Sequence, residues 1–100
     1  MIDQKTFKAI SKGSDIPTIG LKNAFEIMMS SERIVLNDVR FLAGHGVGIF
    51  AALAKVKNVQ VDQVVGLLAN GHVYTSDITR AFEHMVSPEG EYNKFYIKIK

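Results

Sequence analysis

The groups in this 100-residue chain with the chemistry for a site are three histidines, ten acidic residues and one cluster of glycines. His45, His72 and His84 show no i, i+4 pair that would put two imidazoles on one helix face for a metal ion, and no carboxylate is arranged around them. His45 and His84 fall near helix ends, where the negative end of the helix dipole alone accounts for an imidazole. Gly44-His45-Gly46-Val47-Gly48 resembles a phosphate loop only superficially, because position 49 is isoleucine and the G-x-G-x-x-G spacing is missing. The run also follows a helical pattern rather than a strand, and no Gly-Lys-Ser/Thr occurs. There is no cysteine, so thiol nucleophiles, disulfides and thiolate metal sites are excluded. There is no G-x-S-x-G elbow either. The acidic residues are spread over helix starts and polar faces, with no pair set for acid–base work. These residues predict no catalytic, metal or cofactor site, and they point away from an enzyme and from a small-molecule substrate.

The elements that must position anything on this chain are short helices. The chain centres on Phe41–Asn58, where Gly44, Gly46 and Gly48 separate the apolar runs Phe41-Leu42-Ala43 and Ile49 through Ala54. That stretch predicts a helix end, a tight glycine corner and a helix start. Before it, residues 3–12 form a weak helix with Phe7 and Ile10 inward and Lys5, Lys8 and Lys12 on a solvated face. Leu21, Ala24, Phe25 and Met28 fill the i, i+3, i+4, i+7 template of a second helix. Thr18 is its predicted N-cap, after Pro17, and Ser30-Ser31 its close. Met28 and Met29 are read as core filling.

From Arg33 onward one aliphatic residue is followed five positions later by a second and three after that by a third. The cases are Ile34/Val39/Leu42, Val59/Val64/Leu67 and Val73/Ile78/Ala81. Each reads as a short helix pinned onto the core, with Asp38, Asp62 and Asp77 at the positive dipole ends. Gly46 and Gly71 stand twelve residues after Ile34 and Val59, the place for a left-handed cap. Asn58 is the predicted left-handed end of the helix that Gly48 opens. The helices are predicted at about 36–45, 48–57, 61–70 and 75–86, with Ser87-Pro88-Glu89-Gly90 as a stop. Short connections favour steep packing, so the predicted fold is all-α: a single domain, a compact orthogonal array of about five or six short helices with a glycine elbow. Its predicted core is Leu21, Phe25, Val39, Leu42, Phe50, Leu53, Val64, Leu67, Leu68, Ile78, Phe82 and Met85.

The last ten residues fit two patterns. Tyr92, Phe95, Tyr96 and Ile99 have helical spacing, whereas Phe95, Ile97 and Ile99 alternate with Lys94, Lys98 and Lys100 as a strand would. Helix is the slightly better match. Either way this end predicts docking or self-association, with Tyr92, Phe95, Tyr96, Ile97 and Ile99 as candidate protein-contact residues.

The charge is uneven. Residues 1–12 carry a net +2 and residues 94–100 a net +3, while the stretch between has six basic and nine acidic residues. A nucleic-acid surface gathers its basic groups on one face, which the middle does not offer. Residues 61–86 do read helix, turn, helix. The second helix, however, would present Thr75, Ser76, Thr79, Arg80 and Glu83, poor equipment for bases and phosphates. No apolar run approaches the roughly 20 residues of a membrane span, so no membrane is expected in this segment. The first residues lack an apolar signal-peptide core, which favours assembly inside the cell.

Residues from about 20 to 95 resemble the conserved N-terminal domain of phage tail tape measure proteins. The resemblance is carried by motifs in order. Gly20-Leu21-Lys22-Asn23-Ala24 comes first, then Arg33-Ile34 and Asp38-Val39-Arg40-Phe41-Leu42-Ala43 leading into Gly46-Val47. Ile49 through Leu53-Ala54 and Val59 to Leu67-Leu68 follow. Gly71-His72-Val73, Asp77-Ile78, Ala81-Phe82-Glu83-His84-Met85 and Glu89-Gly90-Glu91-Tyr92-Asn93-Lys94-Phe95 complete the series. The sequence departs from the family at Gly48, where proline is usual, at Asn58, where glycine is common, and at Glu89-Gly90, where the family has two glycines. The resemblance implies a non-enzymatic structural module contributing to tail length determination and tail assembly. It implies contacts with other tail proteins or with itself, residence in the host cytoplasm and then in the virion tail, and a prophage setting. Helices rise about 1.5 Å per residue, so a chain this short is expected to be excised from a longer one. The alternative is a small helical adaptor or a helix-turn-helix-like nucleic-acid-binding domain.

Overall fold

Asp3 opens the first helix, its carboxylate accepting hydrogen bonds from the Thr6 N–H at 2.9 Å and the Thr6 hydroxyl at 2.7 Å. The computed structural model describes residues 2–99, so Lys100 of the basic tail lies outside the described residues. The described residues form seven helices and no strand. They are α1 (Gln4–Lys12), α2 (Thr18–Met29), α3 (Leu36–Gly44), α4 (Ile49–Lys57), α5 (Val61–Ala69), α6 (Thr75–Val86) and α7 (Asn93–Tyr96). That is one helix more than the five or six expected, the addition being the short α7 near the end of the chain. The first helix is not weak: α1 buries Thr6, Phe7, Ala9 and Ile10 and packs on α2, α6 and α7. Thr18 is the first helical residue of α2 rather than its cap, since Pro17 holds the extended flanking position at φ −61° and ψ 150°.

The core lies along the contact of α4 with α6 and spreads from there to α1 and α3. Leu42, Ile49, Leu53, Ile78 and Phe82 are fully buried in it. Phe7 meets Phe25 and Phe82 edge-on, and Phe25 and Phe82 are tilted against each other with centroids 4.8 Å apart. The aliphatic pattern lands as Ile34, Val39 and Leu42 buried, and Val73, Ile78 and Ala81 buried. In the middle copy Val64 is buried while Val59 and Leu67 are half-buried.

Three residues expected in the core sit at its margin. Phe50 is half-buried because Ile49, Ala52 and Leu53 take the inward side of α4. Leu67 is half-buried because α5 packs mainly on α4 and α3, which leaves Val61 and Val65 exposed beside it. Phe25 is half-buried, with the Phe7 and Phe82 rings against it at the edge of the core. The other nine expected core residues are buried, apart from Leu68 and Met85 by no more than a sliver of exposure.

The larger correction is at the tail. Tyr92 is 1% exposed, not an outward contact residue. Phe95, Tyr96 and Ile99 pack half-buried against the molecule's own core, because α7 folds back on α1 and α6. Ile97 alone of the five stands out, at 68% exposure.

Candidate functional site

The glycine corner is built by backbone hydrogen bonds that close α3 with a left-handed residue. Gly46 has φ +82°. Its N–H donates to the Ala43 carbonyl at 3.0 Å, and the Val47 N–H donates to the Leu42 carbonyl at 3.1 Å. That pair of bonds is the Schellman arrangement. It recurs at Asn58 (φ 58°), where Asn58 and Val59 donate to Lys55 and Ala54, and at Gly71 (φ +71°), where Gly71 and His72 donate to Leu68 and Leu67. Three successive helices therefore end alike, each at a residue that tolerates φ above zero. Gly48 plays a different part. At φ −75° it is not left-handed, but it sits in the position flanking α4.

Tyr92 locks this corner from the far end of the sequence. Its hydroxyl accepts from the Gly48 N–H at 2.9 Å and donates to the Gly46 carbonyl at 3.1 Å. One buried phenol thus satisfies an orphan donor at the start of α4 and a carbonyl of the turn before it. Burial raises the Tyr92 pKa above the usual tyrosine range; the Gly48 N–H partly offsets the rise and the Glu91 carboxylate adds to it. Glu91 also lies against Gly48, where a Cβ would meet its carboxylate. On the opposite side, Asp15 N–H donates to the His45 carbonyl at 2.7 Å and His45 Nδ1 lies 3.2 Å from the Asp15 carbonyl. The Phe41 and His45 rings stack edge-on at 4.7 Å. The corner is thereby held by residues 15 and 92 as well as by its own turn.

Among the described residues Asp77 is the one buried charged group. Its carboxylate accepts from the Tyr74 N–H at 2.9 Å and from the Lys57 ammonium at 3.1 Å, with the Arg80 guanidinium at 3.5 Å. Arg80 also donates to the Val56 carbonyl at 2.9 Å, near the end of α4. The cluster ties the C-terminus of α4 to the N-terminus of α6, where a helix dipole favours a carboxylate. Its dipole position was visible in the sequence; its cross-helix partners were not. The Tyr74-x-x-Asp77 spacing, an N-cap followed three residues later by an acid, was the available signal.

The histidines are not brought together. His45 belongs to the corner, His72 is exposed after Gly71, and His84 is in the last turn of α6. Among the described residues no group of three His, Cys, Asp or Glu could hold a metal ion. Two surface grooves stand out among the described residues. One, of about 600 Å³, runs between α4 and residues 89–91 and is lined by Ala51, Lys55, His84 and Glu91 among others. The other, of about 400 Å³, lies between α2 and α3 and is mostly apolar, with Ala24, Ile27 and Phe41 around Asn23 and Asp38. Ile27 and Phe41 are more than half exposed there. No helix among the described residues is long and apolar enough to cross a membrane.

Comparisons with protein-family models, with curated proteins and with solved structures find no match to this chain.

Proposed function

We propose that this chain is a non-enzymatic assembly module of the phage tail tape measure type, contributing to tail assembly and length determination through protein contacts. The ordered series of motifs carries the proposal. An all-helical fold turning on a braced glycine corner fits it, with Gly48 replacing the family's proline and the Tyr92 hydroxyl doing the bracing. Short helices joined by connections of three to six residues suit an orthogonal array better than a long bundle. The apolar α2–α3 groove, with Ile27 and Phe41 exposed, is the surface we assign to a neighbouring tail subunit.

The helix-turn-helix alternative is less well supported. Arg80, the one arginine its recognition helix offers, is engaged by Asp77 and by the Val56 carbonyl. Thr79 donates to the Thr75 carbonyl at 3.2 Å. A general helical adaptor would use the same apolar groove, so the decisive observations are genetic and morphological. The reading frame should lie among tail genes, and Phe41→Asp in the intact phage should give absent or aberrant tails by electron microscopy while the isolated domain keeps its helicity. A locus without tail genes, or tails of normal length and number in the variant, would sink the proposal.

A further inference from the structure

The two basic ends of the sequence become one edge of the folded molecule. The short helix α7 lies along α1: Tyr96 hydroxyl donates to Asp3 Oδ2 at 3.2 Å, the Lys5 ammonium stands 4.5 Å from the Tyr96 ring centroid, and the Tyr92 and Phe95 rings leave no room for a side chain at Gly13. Lys5, Lys8 and Lys12 follow one another at helical spacing along the α1 side of this seam, and Lys94 and Lys98 border the other side. Lys8, Lys12, Lys94 and Lys98 are all exposed. Asp3, a carboxylate beside these lysines, is already held by Thr6 and Tyr96. The intervening stretch carries six basic against nine acidic residues, so the positive charge is concentrated at this edge.

We propose that the α1–α7 edge is a peripheral docking surface for an anionic lipid bilayer, with Ile97 as the side chain that enters the headgroup region. This goes beyond the assembly role and does not rest on it. Three observations favour a bilayer over nucleic acid. The edge has lysines and no arginine, the three arginines lying at 33, 40 and 80, and lysine is a point charge suited to diffuse lipid phosphates rather than to base edges. Its aromatic rings are not bare: Lys5 covers Tyr96, Lys94 lies 5.3 Å from the Phe95 ring centroid, and both rings pack on the core, so no platform is left for a base to stack on. Ile97 is 68% exposed between Lys94 and Lys98, where an aliphatic side chain is idle against a phosphate backbone but gains by entering a membrane interface. The flanking lysines can extend toward the lipid phosphates while that side chain inserts.

The test is co-sedimentation of the chain with vesicles of one part phosphatidylglycerol to three parts phosphatidylcholine, with phosphatidylcholine vesicles as the uncharged control. Binding should require the anionic lipid and weaken steeply between about 50 and 200 mM salt. At roughly a factor of five per lysine, the triple variant Lys8→Glu, Lys12→Glu, Lys98→Glu should lower the partition coefficient about a hundredfold or more. Ile97→Asn, which keeps the charge, should lower it about tenfold without changing the salt dependence, a result a purely electrostatic contact would not give. Equal binding to both vesicle types, or unaltered binding by a triple variant of native helicity, would overturn the proposal. Failure to bind vesicles together with salt-dependent binding of duplex DNA would assign the edge to nucleic acid instead. Should the triple variant not fold, the lipid and salt dependence of the unmodified chain and the Ile97→Asn comparison decide the matter.

Discussion

Tyr92→Phe removes one oxygen atom and tests whether the glycine corner is braced from the far end of the chain. The ring is 1% exposed and would stay in place, so the loss is confined to two hydrogen bonds. The two ends of the bridge are not equivalent. Gly46 is exposed, so water can replace the hydroxyl at its carbonyl, whereas Gly48 is half-buried and its N–H would be left short of an acceptor. Leaving one such donor unpaired costs about 1–3 kcal/mol. At about 4–8 °C per kcal/mol for a domain of this size, Tm should fall by roughly 4–24 °C. Tyr92→Ala adds the emptied ring site and should cost about 3–5 kcal/mol in all. Thermal melts followed by circular dichroism measure both, and hydrogen exchange at the Gly48 amide should quicken in Tyr92→Phe more than at amides of α2. The same hydroxyl predicts an alkaline limb. Its pKa is raised in the folded state, so the stability it contributes is complete below the unfolded value of about 10 and is lost as pH climbs through the higher folded value. Tyr92→Phe should flatten that limb. A variant melting within about 1 °C of the parent, with unchanged Gly48 exchange, would refute the bracing argument.

Other substitutions separate the depth of a site from its chemistry. Leu53→Ala should cost about 2–5 kcal/mol in urea unfolding, whereas half-buried Phe50→Ala should cost only about 1–2 kcal/mol; equal losses would show that α4 is turned differently. Gly46→Ala should cost about 1 kcal/mol, purely for its left-handed backbone, because an added Cβ meets nothing closer than the Asp15 nitrogen at 3.8 Å. Gly90→Ala should cost more, about 3 kcal/mol, since its Cβ would collide with the His84 and Met85 carbonyls, and reversal of this order in Tm would contradict the packing of residues 87–92 on α6. Asp77→Ala removes the acceptor of the Tyr74 N–H and strands the Lys57 ammonium, for about 2–3 kcal/mol in chemical denaturation. Lys57→Ala, which leaves Asp77 its other donors, should cost about 1 kcal/mol or less.

What was legible in the sequence was local. A Schellman ending is decided within six residues, so Gly46, Asn58 and Gly71 could be recognised from spacing and residue type before any contact was known. Helix phase was legible for the same reason, and α2, α5 and α6 begin and end within a residue of where periodicity put them. Depth was not. Whether Phe50 or Leu67 lies at the centre or the margin depends on how many neighbours cover each helix, and α5 has too few to bury its apolar side. Periodicity reports direction, and burial also needs a partner on that side.

The tail shows where that limit bites hardest. Five apolar or aromatic side chains interspersed with three lysines near a chain end look the same whether the surface they cover belongs to the same molecule or to another. Here most of it is internal: Tyr92 reaches back to Gly46 and Gly48, and Tyr96 reaches Asp3 across nearly the whole sequence. The fold thereby consumes the aromatic groups that sequence alone would offer to a partner and leaves the charges and Ile97. The consequence is a separation of surfaces: apolar contact is available at the α2–α3 groove, and electrostatic contact at the α1–α7 edge. Because Asp3 and Tyr96 join the two ends, Tyr96→Phe should loosen the edge without touching the groove. A partner that loses affinity on that change would have to be one that reads the lysines.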